Sequence, residues 1–345
     1  MGHKLQRRSG TEPAMAALAA VMLAAVAAPA VAQEHKPYTM GYAVGFLSTP
    51  FLAIGVDQTY AAAKAIGLKT VPVANANGDA GKQIADIHNL IAEGATGIIL
   101  VATDSDAIVP ALNYAETKHV PIVSTDIGPS GGHTAMIVRA DNLRMGADAC
   151  ALIGKKLGGK GTMLSMMGDQ ATINGRDRTS GFNDCMKASY PGIKVIQQPT
   201  YWKSDKATAV AQTVVTSTPD LAAIYMQSDS VMLAGVVNVL KSAGKLTKVG
   251  DPGHIMLVSI DGTPYALHQI RDGLLDASIS QPLDLYVKYG LSYLQEAVDG
   301  KTFPTGPTDH NSTIVEFHGS PMDLLPAPTV TKENVDDAAL WGNKG

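Results

Sequence analysis

Cysteine, aromatic residues and charge are all scarce in this sequence. Two cysteines in 345 residues are too few for a disulfide-framework fold or a cysteine-built zinc site. Aromatics make up 5% and charged residues 17%. The formal net charge of −4 comes with no long basic run, which argues against a nucleic-acid partner. There is no P-loop and no H-E-x-x-H zinc helix, and the nine histidines show no ligand spacing. The Gly158-Gly159-Lys160-Gly161 run enters a strand with no helix after it to hold a phosphate, so it is not a dinucleotide fingerprint. No enzyme, cofactor or metal is therefore expected. Apolar residues, by contrast, are plentiful at 46%, with 34 glycines and 19 prolines. That is enough for a packed core with many turns, and the length suggests roughly two domains.

The N-terminus reads as an export signal. Lys4, Arg7 and Arg8 form a short positive region, residues 14–28 an alanine-rich apolar run, and Ala30-Val31-Ala32 an A-x-A site. The expectation is a signal peptide over 1–32, cleaved after Ala32, and a periplasmic, oxidising destination. Cleavage removes those three cations and Glu12, leaving the chain more acidic. Past this segment no run reaches the ~18 apolar residues that a membrane helix needs.

From there, short apolar runs alternate with longer amphipathic segments. Strands are expected at 40–46, 69–75, 96–102 and 120–126, with helices at 50–66, 79–92 and 105–118 between them. A strand at 135–140 follows, and the rhythm restarts. Helices at 142–157, 175–189, 205–217, 230–243, 263–272 and 282–298 alternate with strands at 161–166, 193–198, 222–227, 255–260, 277–280 and 312–317. Strands apolar nearly throughout are what burial on both faces requires. The pattern predicts an α/β chain of two similar doubly wound parallel-sheet lobes. With no long linker, the lobes are joined by crossover strands. The boundaries read as 36–139 with 282–311 for the N-terminal lobe and 140–281 with 312–345 for the C-terminal lobe. The tail after Pro326 is expected to pack as a short helix on a lobe surface.

In open α/β sheets ligands bind beyond the carboxyl ends of the strands. Those ends carry Phe46-Leu47-Ser48-Thr49-Pro50-Phe51-Leu52, Asp126, Asn174-Gly175-Arg176-Asp177-Arg178, Tyr201-Trp202, Ser228-Asp229, Asp261-Gly262-Thr263-Pro264 and Gln281. Carboxylates, amides, hydroxyls and arginine hydrogen-bond hydroxyl groups, and aromatic faces pack on C–H patches. A neutral, hydroxyl-rich ligand suits this set. The commonplace readings are Asp261 as a helix cap, Phe51 as core, and Arg176 and Arg178 as a solvated first turn.

Taken in order, these residues resemble the periplasmic sugar-binding proteins of ABC transporters, of the ribose-binding type. The resemblance spans roughly 38–317. It rests on Ser48-Thr49-Pro50-Phe51, Thr103-Asp104-Ser105-Asp106-Ala107, Pro121-Ile122-Val123 with Asp126, Asp141-Asn142, Arg176-Asp177-Arg178 with Gly181-Phe182, Gln227-Ser228-Asp229, Asp261-Gly262-Thr263-Pro264 and Ile279-Ser280-Gln281. It implies a type I periplasmic binding fold with two lobes and three hinge strands. Phe51 and Leu52 are implied to pack on one sugar face and Trp202 on the other, while Asp126, Arg176, Asp261 and Gln281 hydrogen-bond the hydroxyls. Thr49 and Ser228 fall where ribose binders have asparagine, Ile127 where they have arginine, and Leu52 replaces an aromatic. The implied pocket is less polar than a ribose site. Arg139, in the predicted hinge strand, reads as an exposed hinge charge or as a compensating donor. The implied role is capture of a monosaccharide or sugar alcohol for an ABC permease by a monomeric protein. Presentation of the ligand to a chemoreceptor or sensor kinase is the alternative. A sugar-responsive repressor would need a DNA-binding module where the export signal stands.

Cys150 and Cys185 fall on helices flanking one strand of the second lobe. A disulfide and two buried thiols are both open readings.

Overall fold

The computed structural model describes residues 35–344. The expected leader and its cleavage after Ala32 lie outside them.

The chain runs β1 (Thr39–Val44), α1 (Pro50–Ala65), β2 (Lys69–Thr70), β3 (Ala74–Asn75), α2 (Ala80–Ala92), β4 (Gly97–Val101), α3 (Val109–Thr117), β5 (Ile122–Thr125) and β6 (Met136–Ala140). It continues with α4 (Asn142–Lys156), β7 (Gly161–Met167), α5 (Ile173–Ser189), β8 (Ile193–Pro199), α6 (Ser204–Ser217), β9 (Leu221–Met226) and α7 (Asp229–Ser242). Then come β10 (Met256–Asp261), α8 (Pro264–Arg271), β11 (Ala277–Ser280), α9 (Leu283–Val298), β12 (Gly306–Pro307), β13 (Thr313–Phe317), β14 (Ser320–Leu325), β15 (Thr329–Val330) and a final 3-10 turn, Trp341–Asn343.

Two sheets result. The first has nine strands, in the order β12-β13-β14-β6-β5-β4-β1-β2, with β3 also on β1; the second has six, in the order β15-β11-β10-β9-β7-β8. Pairing is parallel except at β12–β13, β13–β14 and β11–β15. Strands such as Gly97–Val101 are buried at every position, as helices on both faces require. Each sheet reverses its strand order beside its first strand, between β1 and β4 and between β7 and β9. Such switch points are where α/β sheets open a crevice. The chain passes between the sheets three times: after β6, after β11 and after β14.

Three details depart from expectation. Residues 313–325 form β13 and β14 and join the first sheet, because β14 pairs in parallel with β6. The second lobe therefore does not begin again at 312. The 69–75 strand is split into two bridges around Pro72, which has no N–H to donate. Helix α3 starts at Val109 rather than 105, because Asp104 Oδ1 accepts from the Asp106 and Ala107 N–H groups and holds a turn there.

Helices α4 and α5 pack tightly. A Cβ on Gly146 would run into the backbone of Arg178, so only glycine allows this approach. Cys150 and Cys185 are disulfide-bonded between the same helices, with Cα atoms 6.1 Å apart.

Candidate functional site

Between the carboxyl ends of the two sheets lies a narrow cavity. The first-sheet side contributes Phe46, Thr49, Phe51, Leu52, Asp126 and Ile127. The second-sheet side contributes Asn174, Arg178, Trp202, Ser228, Ser230 and Asp261, and Gln281 enters from the crossing after β11.

Asp126 follows β5 in a left-handed conformation, φ 59°. Such a backbone is uncommon outside glycine and clusters at binding sites. Its N–H donates to the Val138 carbonyl at 2.9 Å, and the turn carries the carboxylate into the cleft. There Oδ1 accepts from Asn174 Nδ2 at 2.8 Å, a bond from one lobe to the other. Burial, with the Asp261 charge adding to it, pushes the Asp126 carboxyl up to about 6 against the pull of Arg178, Asn174 and Arg139.

Asp261 ends β10 with φ 121°. It does not cap α8: Thr263 does, its hydroxyl accepting from the Ala266 N–H at 3.2 Å. The Asp261 carboxylate faces the cavity instead. Oδ2 accepts from Ser228 Oγ at 2.5 Å and from the Ser230 N–H at 3.3 Å, and Oδ1 accepts from Gln281 Nε2 at 2.9 Å. Behind it, buried Asp229 accepts from the Gly262 N–H (3.0 Å), the Thr263 hydroxyl (2.6 Å) and the Ser278 hydroxyl (2.8 Å), which fixes the turn. Burial and the neighbouring Asp261 charge push the Asp229 carboxyl upward.

Gln281 links two crossings. Its Oε1 accepts from the Tyr286 hydroxyl at 3.0 Å, and that hydroxyl accepts from the Ala140 N–H at 2.8 Å. Through Gln281 the Asp261 carboxylate is therefore linked to two of the crossings.

Arginine 178 is the buried cation of the site. Nε donates to Asn142 Oδ1 at 2.7 Å, Nη1 donates to the Gln227 carbonyl, and Nη1 lies 3.7 Å from Asp261 Oδ1. The guanidinium stands 5.6 Å from the centre of the Trp202 ring, within cation–π range. Trp202 has φ 55°, and its indole N–H donates to Thr172 Oγ1 at 3.3 Å. A Cβ on Gly168 would fall inside the indole, so glycine is required beneath the ring.

Of the expected site residues, Thr49, Phe51, Leu52, Asp126, Ile127, Trp202, Ser228, Asp261 and Gln281 line the cavity. Arg176 does not. It turns to the rim, where Nη2 donates to Ser130 Oγ at 2.6 Å and Nη1 lies 3.3 Å from Asp106 Oδ2. Thr172 caps α5 and sets its phase, which points position 178 inward and 176 outward. Arg139 is buried, not exposed: it pairs with Asp177 at 2.8 Å and donates to Asn174 Oδ1 at 2.8 Å. The C-terminal tail is also more than a surface helix. Buried Trp341 donates to the Asp261 carbonyl at 2.9 Å and meets Phe51 edge-on at 5.5 Å.

Phe46, Asn174, Arg178 and Ser230 are cavity residues to which the sequence assigned no binding role. Asn174 and Arg178 stood in the right strand-end segment, and only the helix phase was missing. Gly128-Pro129-Ser130-Gly131-Gly132 spells the G-x-S-x-G pattern of a hydrolase elbow, but it lies in the β5–β6 loop rather than on a strand-to-helix turn. Ser130 accepts from Arg176, and nearby His133 has its Nδ1 3.3 Å from the Gly319 carbonyl. Among the described residues no group of three or more His, Cys, Asp or Glu is placed to hold a metal ion.

A family model for a periplasmic binding protein domain matches residues 40–302. The ribose import binding protein of Bacillus subtilis (strain 168) is 28% identical over 278 residues, covering 80% of this chain and 86% of that protein. A xylitol-binding protein of Mycolicibacterium smegmatis is 27% identical over 266 residues, covering 76% of this chain and 69% of that protein. Among solved structures, an ABC transporter solute binding protein from Mycobacterium smegmatis with bound glycerol superimposes with a TM-score of 0.75. It is 23% identical and covers 87% of this chain and 96% of its own.

Proposed function

The chain belongs to the periplasmic binding proteins, and from that premise we propose that it captures one neutral monosaccharide or sugar alcohol between its lobes and delivers it to the permease of an ABC importer. It is a binding protein, not an enzyme.

The observation that carries the reading is the convergence of Asp126, Asn174, Arg178, Asp261 and Gln281 on one cavity, with Phe51 and Trp202 beside them. The cavity is narrow and lined by thirteen residues, which suits a single small ligand rather than a chain of sugars. Arg178 is its only lysine or arginine, and two carboxylates stand against it. That balance disfavours an anionic ligand.

We assign residues 35–140 with 282–325 to one lobe and 141–281 with 326–344 to the other. The ligand bridges the lobes and so favours the closed form, by as much as it binds that form better than the open one. The closed protein, acting as a single copy in the periplasm, then presents both lobe rims to the permease. Ribose and xylitol, named for the two relatives, are the first ligands to try.

A thermal-shift screen against pentoses, hexoses, alditols and amino acids tests this. The reading expects one sugar or alditol to raise the melting temperature in a concentration-dependent way. No response to any sugar or alditol, with a hit among amino acids, would overturn it.

A further inference from the structure

The two walls of the cavity differ in chemistry. On the second-sheet side every lining residue has a hydrogen-bonding side chain, the Trp202 N–H being taken up by Thr172. On the first-sheet side Phe46, Phe51, Leu52 and Ile127 have no polar side-chain atom, and only Thr49 and Asp126 can bond a hydroxyl. Phe51 and Trp202 account for flat packing on a sugar ring. Leu52 and Ile127 are aliphatic: each packs into the hydrophobic core and also turns a face to the cavity. Ile127 follows Asp126 directly in the chain, and both residues line the cavity. The Leu52 and Ile127 side chains are both buried, and neither can donate or accept a hydrogen bond. A ligand hydroxyl against these side chains would find no side-chain partner in them, whereas a methyl or methylene would be buried favourably.

Resting on the sugar-binding reading above, we propose that the ligand is a deoxy compound: a monosaccharide or alditol in which one carbon carries hydrogen or ends in methyl where the parent has a hydroxyl. That carbon lies against Ile127 and Leu52, and the remaining hydroxyls face Asp126, Asn174, Arg178 and Asp261.

Calorimetric titration of matched pairs tests the proposal on the unaltered protein. The pairs are L-rhamnose with L-mannose, D-fucose with D-galactose, 5-deoxy-D-ribose with D-ribose, and the alditols of the two hexose pairs. The expected result is at least one pair in which the deoxy member binds about 10- to 100-fold more tightly than its parent, the range set by one hydroxyl against an apolar wall. Ile127→Asn, or the closer-sized Ile127→Thr if that variant does not fold, is expected to shrink that ratio by supplying a partner to the parent's hydroxyl. Equal or tighter binding of the parent in every pair that binds would overturn the deoxy proposal and leave the sugar reading intact. If no member of any pair binds and no other sugar or alditol does, both fail together.

Discussion

Arg176 and Arg178 stand two residues apart in one helix and face opposite ways. Arg178 is buried between Asn142, the Gln227 carbonyl and Asp261, while Arg176 crosses the rim of the cleft to Ser130 and Asp106. Near it the Ser105 N–H donates to the Ala171 carbonyl at 3.0 Å, and Ser105 Oγ accepts from the Ile173 N–H at 2.9 Å. These bonds join the lobes without touching the cavity.

The two arginines should therefore fail differently. Arg178→Ala strands the Asp261 carboxylate and should weaken sugar binding by about 2–5 kcal/mol, with a fall in melting temperature. Arg176→Ala loses only a half-exposed clasp on the closed form. Its affinity should fall roughly five- to tenfold, about 1 kcal/mol, with the order of preference among sugars unchanged. Titration of both variants against the same panel checks this; an Arg176 variant with altered selectivity would contradict it.

Asp126 predicts two pH effects of opposite sign. Its carboxyl is raised from 3.8 to about 6 in the folded protein. The folded state therefore holds this proton more tightly than the unfolded chain. Its contribution to stability is fully present at acid pH and is lost as pH rises between those two values. A hydroxyl donating to Asp126 needs the ionised form, so ligand affinity should instead fall as pH drops through about 6. Asp126→Asn should flatten both curves relative to wild type. Thermal melts from pH 3.5 to 8 and titrations from pH 5 to 8 decide it; a pH profile of binding unchanged in the variant would remove Asp126 from the site.

The Cys150–Cys185 bond closes a loop of 35 residues between α4 and α5. Loop-closure entropy gives such a link about 3–4 kcal/mol. The double variant Cys150→Ser, Cys185→Ser should lose roughly that in denaturant unfolding and keep its ligand affinity, because neither cysteine lines the cavity. A large loss of affinity at a temperature where the variant is folded would contradict the separation.

Trp341 ties the tail to the site. Trp341→Phe keeps a ring against Phe51 but removes the N–H that reaches the Asp261 carbonyl, so stability should fall by about 1 kcal/mol. Trp341→Ala also empties a buried site and should cost about 3–5 kcal/mol. Chemical denaturation of the two variants measures the difference; equal losses would mean that the hydrogen bond matters and the packing does not.

Much of this was legible from local pattern. Apolar strands, Asp79 capping α2 and carboxylates at strand ends all follow from neighbours in sequence. What escaped is non-local. Whether Arg176 or Arg178 enters the cavity depends on helix phase, since two residues turn about 200° around a helix axis. That phase is fixed by Thr172, and the helix starts at Ile173 rather than 175. Arg139 is buried because Asp177 and Asn174, some 35 residues on, meet it. Residues 313–325 join the first sheet only because β14 finds β6, nearly two hundred residues earlier. Trp341 became part of the site through a carbonyl that no sequence pattern marks.

The central claim is that a neutral sugar or alditol binds between Asp126 and Asp261. Calorimetric titration of wild type and Asp261→Ala, side by side with the ligand found by the screen, tests it most directly. The account predicts one site per protein and binding at least 2 kcal/mol weaker in the variant, since Arg178, Ser228 and Gln281 all lose their shared partner. Equal affinity in the two proteins, with the variant folded, would place the ligand elsewhere and contradict it.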